Sequence, residues 1–467
     1  MANRYPSYVS VDQKWVSEIP AHWDTKRLKF VFAMRKEKNN PVVTENILSL
    51  TAKQGVVPYA EKEGAGGNKP KSDLTLYNVA RENDLLVNCM NVVSGAAGVS
   101  RYVGAISPVY YALFPRHDDN VWYYHYIFRL LPFQRSLVGL GKGIQMHESE
   151  DGTLTTVRMR ISMDYLGGVL LPIPPRSEQD QIVRFLNWKV SSINKLISVR
   201  RKQISELEEL KRNKIGHLIM GQSKDIPQKE TSVSWVKTIP AHWIEKTIVQ
   251  YAEEQQIKNT GMVETNLLSL SYGKIVAKDI NTTSGLLPAS FEGYQIVNNG
   301  NIVLRLTDLQ NDHKSLRTGL ATQTGIVTSA YLCLKVREGI IPEYLQLQLH
   351  VADLCKVFYG MGGGVRQSIG FKEVRKLIIA VPPLEDQERI LEEVHGIEEP
   401  INDAIQKYRA IIAELEDLRN RIVSNVVTGR IDVRDVAIPE FEYIDDTSDD
   451  DIEESDSEEE TEEEQED

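Results

Sequence analysis

Cysteine is scarce in this chain of 467 residues: Cys89, Cys333 and Cys355 offer neither a pairing nor a metal-ligand spacing. Buried structural thiols in a reducing compartment are the expectation. No apolar run approaches the roughly eighteen residues that a membrane span needs, and the N-terminus has no signal-peptide core. The expectation is therefore a cytoplasmic protein without membrane contact. Catalytic signatures are missing as well. Gly139-Leu140-Gly141-Lys142-Gly143 contains a lysine, but no Ser or Thr follows it, so it is no phosphate loop. No histidine pair shares a helix face, and no Gly-x-Ser-x-Gly elbow occurs. Glu148-Ser149-Glu150-Asp151 resembles a metal cluster, yet it lies in a stretch that the second half of the chain lacks and reads as a loop insertion.

Basic residues are absent from the strongly acidic C-terminal segment. From Asp445 to Asp467 there are sixteen Asp or Glu and no Lys or Arg. Without that segment 54 basic residues face 50 acidic ones, so the formal charge of −12 becomes +4 for residues 1–444. The segment cannot build a core and is expected to be disordered. It has three readings: a solubility device, which is favoured, an interaction segment, or a DNA mimic competing for a basic cleft. Between Asp24 and Lys71 ten basic residues, among them Lys26, Arg27, Lys29, Lys53 and Lys71, face five acidic ones. Such a surface permits phosphate contact without requiring it.

What is present is a duplication. Ile19-Pro20-Ala21-His22-Trp23 returns as Ile239-Pro240-Ala241-His242-Trp243, and Leu48-Ser49-Leu50 as Leu268-Ser269-Leu270, at an offset of 220. Near the end of each half the offset is 208: Pro174-Pro175 matches Pro382-Pro383, Gln179 matches Gln387, and Gly221 matches Gly429. Twelve residues of difference thus lie inside the first part of each copy. That period is far too long for a solenoid and suits a domain with an appendage.

The first part of each copy reads as an α+β module. Short apolar runs (Ile47–Leu50, Asp84–Val87, Ala105–Phe114 and counterparts) predict strands. A helical patch (Trp122–Leu131; Pro342–Cys355), a Gly-rich loop and a final strand before the double proline follow. His22 and His242 are expected to be structural, hydrogen-bonded beside their tryptophans.

After the prolines the period changes. Ile390, Val394, Ile397, Ile401, Ile405, Tyr408, Ile411, Leu415, Leu418, Ile422 and Val426 step by threes and fours. The first copy does so through Ile182, Leu186, Val190, Ile193, Ile197, Ile204, Leu207, Leu210 and Leu218. This stripe predicts two long helices burying their seams against each other, antiparallel, each starting after a proline and stopping at Gly221 or Gly429. A helix from Arg176 to Gly221 would be roughly 69 Å long. Pro400, inside the second stripe, predicts a kink or break. The expected domains are 1–175 and 223–383 as globular modules, 176–222 and 384–430 as helices, and 431–467 as a C-terminal segment.

The ordered set of Ile-Pro-x-His-Trp, strand-rich module, Gly-rich loop followed by Arg158 or Arg366, Pro-Pro with Glu178-Gln179 or Asp386-Gln387, and a long helix ending at Gly221 or Gly429-Arg430-Ile431-Asp432 resembles the specificity subunit of Type I restriction-modification enzymes. The resemblance extends, twice over, to about Val436. It implies two target-recognition domains, each reading one half of a split, asymmetric site on double-stranded DNA. It also implies helices that act as spacer and dock two methyltransferase subunits, to which restriction/translocase subunits can be added. Catalysis would lie in those partners, with S-adenosylmethionine, ATP and Mg bound there and no cofactor on this chain. No Asn/Asp-Pro-Pro-Tyr/Phe motif occurs; Asn40-Pro41-Val42 is the nearest.

Base reading needs polar side chains at groove edges, while Lys and Arg set register on phosphates. Loops with that chemistry supply the DNA-binding candidates Lys53, Gln54, Asn88, Asn91, Lys142, Arg158, Tyr272, Lys274, Arg305, Arg366 and Gln367. A coiled-coil scaffold whose modules bind protein instead of DNA is the other reading of the same pattern.

Overall fold

The computed structural model describes the chain from Arg4 to Ile444, except for residues 52–53, 63–69, 142–145, 149–153, 157–159, 224, 272, 281–289, 310–315 and 362–368 and the side chains of 146–148 and 154–156. The described residues fall into two compact units, 4–202 with 408–444, and 203–407.

The first unit is built on a four-stranded antiparallel sheet in the order Phe32–Met34, Tyr110–Pro115, Leu85–Asn88, Ala97–Val99. Its central strand, Leu85–Asn88, is buried on both faces, which is why it reads as an unbroken apolar run and not as an alternation. The hairpin Leu48–Thr51 with Gly55–Pro58 does alternate, Leu48 and Leu50 pointing inward. Helices Val121–Phe128 and Leu131–Leu137 cover the sheet with Tyr123, Tyr124, Phe128 and Phe133. Strand Asp24–Arg27 pairs with Leu170–Ile173, which leads through Pro174-Pro175 into the first long helix, Arg176–Ile219.

The second unit repeats this sheet plan, with one helix, Pro342–Leu354, where the first has two. Its sheet runs Ala252–Glu254, Leu332–Val336, Ile302–Leu304, Thr318–Leu320, and Ile244–Thr247 pairs with Ile378–Val381 ahead of the second long helix, Leu384–Val427. Among the described residues, only the first unit has a ribbon of Met146–Glu148 with Leu154–Thr156, in the stretch without a counterpart.

Each unit holds the beginning of one long helix and the end of the other. The first core takes Ile182 and Leu186 from the first helix and Val426 and Val427 from the second; the second takes Ile215 and Ile219 from the first and Ile390 and Val394 from the second. In the first unit Arg419 Nη1 donates to Asn194 Oδ1 at 2.8 Å and Arg201 pairs with Glu416 at 3.4 Å. Residue numbers rise on one helix as they fall on the other, so the pair is antiparallel within this unit. In the second unit Lys211 Nζ donates to Asn402 Oδ1 at 3.0 Å, the equivalent pair at the offset of 208.

Of the kink or break expected at Pro400, no break occurs: the second long helix runs through it. Four residues before Pro400 is Gly396, where a Cβ would meet open space. Two other expectations are corrected. Leu210 and Leu418, placed in the seam by their spacing, are 44% and 40% exposed. Cys89 and Cys333 are buried, but Cys355, just past helix Pro342–Leu354, is exposed.

Candidate nucleic-acid interface

The repeated Ile-Pro-Ala-His-Trp forms a socket for helix ends. In the first unit Glu178, in the first turn of its helix, is almost fully buried and collects three donors. Trp23 Nε1 donates to it at 2.9 Å, His22 Nε2 lies 2.8 Å away, and the Tyr5 hydroxyl completes the set. Burial, and then that hydrogen bond to Glu178, push the Tyr5 hydroxyl far above the usual phenol range. In the second unit the acid is Asp386, 2.7 Å from His242 Nε2 and bonded to Arg389 at 3.0 Å. The hydrogen bond from His242 holds the Asp386 carboxyl below its ordinary range. The expected structural role of the histidines agrees with both contacts.

Gln179 and Gln387, the next residues, perform matching tasks. Gln179 accepts from Asn120 N–H at 2.7 Å and donates to the Pro174 carbonyl at 2.9 Å. Gln387 accepts from Ile341 N–H at 2.7 Å and donates to the Pro382 carbonyl at 2.9 Å. Each ties the double proline to the helix that lies on the sheet.

The same socket receives the arriving helix. Gly221 and Gly429 have φ of +60° and +73°, the left-handed stop of a helix. Gly221 packs against Pro240 and Trp243, and Gly429 against Pro20 and Trp23. Tyr344 Oη donates to the Ile219 carbonyl at 2.8 Å, and Tyr123 Oη to the Val427 carbonyl at 2.9 Å. These contacts fix where each globular module sits on its helix ends, and hence where its loops project.

Five of the residues expected to meet DNA are described, and they do not all face solvent. Lys274, opening the second strand of the hairpin Leu268–Ser271/Lys274–Ala277, is exposed. Asn91 is exposed beside a turn, whereas Asn88 is buried and its Oδ1 accepts from Met90 N–H at 3.0 Å, a turn-closing task. Gln54 is half-buried, its N–H donating to Thr51 Oγ1 at 2.9 Å. Arg305 is half-buried, and its carbonyl accepts from Arg317, which is fully buried and also reaches the Thr307 carbonyl at 2.8 Å. Lys53, Lys142, Arg158, Tyr272, Arg366 and Gln367 lie outside the described residues, as do Asp445–Asp467 and the side chains of Glu148, Ser149, Glu150 and Asp151.

Arg317 and Arg160 were not expected from the sequence. Arg160 is exposed beside Cys89 and Tyr111. Arg317 has no counterpart at either offset that would have drawn attention to it. Among the described residues no His, Cys, Asp and Glu group could hold a metal ion, and no helix is long and apolar enough to cross a membrane.

No protein-family model matches the chain, and no curated protein matches it in sequence. Solved structures do match in fold. A chain from work on complex assembly and conformational transition of the type I restriction-modification system superposes with a TM-score of 0.59 at 12% identity, over 88% of this chain and 99% of that one. This chain shares the fold of that chain of the type I restriction-modification system. The HsdS subunit from Thermoanaerobacter tengcongensis is matched over 88% of this chain and 98% of its own at TM-score 0.40 and 12% identity. The S subunit from M. genitalium gives 87% and 96%, TM-score 0.34 and 12% identity. In this chain that fold contains two equivalent sockets, each closed by one helix start and one helix end.

Proposed function

We propose that this chain is the sequence-specific DNA-recognition subunit of a type I restriction-modification complex and is not itself catalytic. The observation that carries this reading is the duplicated socket. Two modules grip their helices through residues at corresponding positions, while the stretches that differ in length lie within the modules. In this reading, residues 1–175 and 223–383 each address one half of an asymmetric bipartite site. The helices of 176–222 and 384–430 set the spacer between those halves in this reading. Loops bearing Lys53, Gln54, Asn91, Lys142, Arg158, Tyr272, Lys274, Arg305, Arg366 and Gln367 are the surfaces for DNA. Pseudo-twofold repetition offers two similar docking surfaces to a pair of identical methyltransferase subunits. The exposed Leu210 and Leu418, equivalent at the offset of 208, are apolar surface that such partners would cover. Restriction/translocase subunits would join that assembly, and S-adenosylmethionine, ATP and Mg would be bound by the partners. A complex acting on cellular DNA would work in the cytoplasm.

The decisive experiment is co-expression with a neighbouring methyltransferase, purification of the complex and mapping of methylated sites in cells that carry it. A split, asymmetric motif is expected, and exchange of residues 1–175 for another module should alter one half of it only. A chain that stays alone and shows no salt-sensitive DNA binding beside that partner would sink the reading.

A further inference from the structure

The first module carries an open cleft of about 740 Å³ lined by Lys26, Lys29, Phe30, Arg116 and His117. Arg116 commits its Nε to the carbonyls of Lys29 and Phe32, both at 3.0 Å, which leaves its terminal nitrogens for another partner. Phe30 is 56% exposed, with Lys29 Nζ 5.2 Å from its ring centroid. Asp24 lies 3.8 Å from Lys26, a loose and exposed pair that offsets little of the charge. Three fixed cations around an exposed ring make a surface for a polyanion.

The repeat supplies an internal control. Arg337 follows strand Leu332–Val336 as Arg116 follows Tyr110–Pro115, and it too reaches back to the short helical turn, at the Val249 carbonyl. There, however, Glu253 takes its tip at 2.8 Å, where the first module has Ala33. Val249, Gln250 and Glu338 stand in place of Lys29, Phe30 and His117. Arg337 is thus neutralised within its own module by Glu253.

The same unit also holds the last described residue of the chain. Gln181 Nε2 donates to the Val433 and Val436 carbonyls at 3.0 and 2.8 Å, and the Arg101 guanidinium lies between the Tyr443 and Trp122 rings. At Ile444 both backbone groups are taken: its N–H by Ser191 Oγ and its carbonyl by Asn194 Nδ2, each at 3.1 Å. The residue after this clamp begins the segment of sixteen acids. At the offset of 208, Ser191 becomes Glu399, so the second unit lacks the clamp.

We propose that the cleft of Lys26, Lys29, Phe30 and Arg116 is the docking site of this chain's own acidic segment, Asp445–Asp467, delivered from the clamp at Ile444. Reach supports the match. Asp118, next to His117, pairs with Arg176 at the helix start. Ser191 and Asn194 lie some 23–27 Å further along that helix at 1.5 Å per residue. A segment of that length spans up to about 75–80 Å when extended. Tethering raises its effective concentration to the order of millimolar, so weak and salt-sensitive contacts suffice.

The test is binding of a fluorescent synthetic peptide of residues 445–467 at low salt to the full chain and to a chain ending at Ile444, a truncation that removes no described residue. The truncated chain should bind the peptide at least about tenfold more tightly, because its cleft is vacant. Lys26→Glu with Lys29→Glu should abolish that binding, and Lys246→Glu in the second module should leave it unchanged. Equal binding by full and truncated chains overturns the proposal, as does binding that survives the double reversal. A short DNA duplex displacing the peptide would show that the segment competes with phosphates. A duplex that binds the vacant cleft where the peptide does not would overturn the docking. DNA recognition by the loops stands or falls separately, since the peptide measurement needs no DNA.

Discussion

Tyr123 donates its hydroxyl to the carbonyl of Val427, 304 residues later in the chain, at 2.9 Å. The end of the last helix is thereby built into the first globular module, just as Tyr344 holds the carbonyl of Ile219 in the second. Neither module's core is complete without a helix end that arrives from elsewhere in the sequence, and this dependence makes the helix stops testable.

Gly429→Ala should destabilise the protein by about 2–4 kcal/mol, because it combines a left-handed φ with a Cβ driven into Pro20 and Trp23. Gly221→Ala should behave alike against Pro240 and Trp243. Gly216→Ala is the control: it lies in the first long helix with open space around its Cβ, and should gain up to about 1 kcal/mol. Urea unfolding midpoints decide this, and equal effects at Gly429 and Gly216 would refute the socket.

The two sockets should differ in their dependence on the acid. Glu178→Ala leaves Tyr5, His22 and Trp23 facing a buried void, a loss of about 3 kcal/mol. Asp386→Ala removes contacts to His242 and Arg389, which are about half exposed, so less than about 1 kcal/mol should follow. Equal losses in chemical denaturation would show that burial of Glu178 is not what distinguishes them.

Much of this frame was legible in the sequence. Prolines at 175 and 383 and glycines at 221 and 429 bracket helices whose described bounds are Arg176–Ile219 and Leu384–Val427. Strands such as Leu85–Asn88 and Ile302–Leu304 follow from local apolar runs. The socket was visible only as an unexplained recurrence, since pairing His22 with Glu178 joins residues 156 apart. Exposure of Leu210 was not legible either: period alone places a residue on a face, and does not say whether another element covers it. Asn88 has a base-reader's chemistry, yet its neighbour's N–H claims the amide, a choice made by the turn and not by the residue type.

Acid should weaken the fold through two half-buried histidines whose Nδ1 atoms are enclosed. Burial lowers His125 to about 3 and His350 to about 4. Both lie below the value of about 6.5 for an unfolded histidine, so the unfolded chain takes up protons first as pH falls. Their contribution is fully present above about pH 6.5 and is lost progressively toward pH 4 and 3. The thermal midpoint should therefore fall between about pH 7 and pH 4.5, and less steeply in a His125→Phe, His350→Leu variant. An unchanged slope in that variant would remove the histidines from the explanation.

Pro400 should be tolerated because of Gly396. A proline inside a helix loses the hydrogen bond to the residue four before it and crowds that residue's carbonyl, at about 3 kcal/mol in an ordinary helix. The second long helix nevertheless continues through it. Pro400→Ala should raise stability by about 1–3 kcal/mol, since it restores the N–H to the Gly396 carbonyl. Gly396→Ala should gain up to about 1 kcal/mol in the Pro400→Ala background, where only helix propensity acts. If the backbone freedom of glycine is what turns the Gly396 carbonyl away from the ring, that gain should vanish or reverse with Pro400 in place. A double-mutant cycle measured by thermal unfolding reads the difference directly, and additive effects would mean that Gly396 has no part in accommodating the proline.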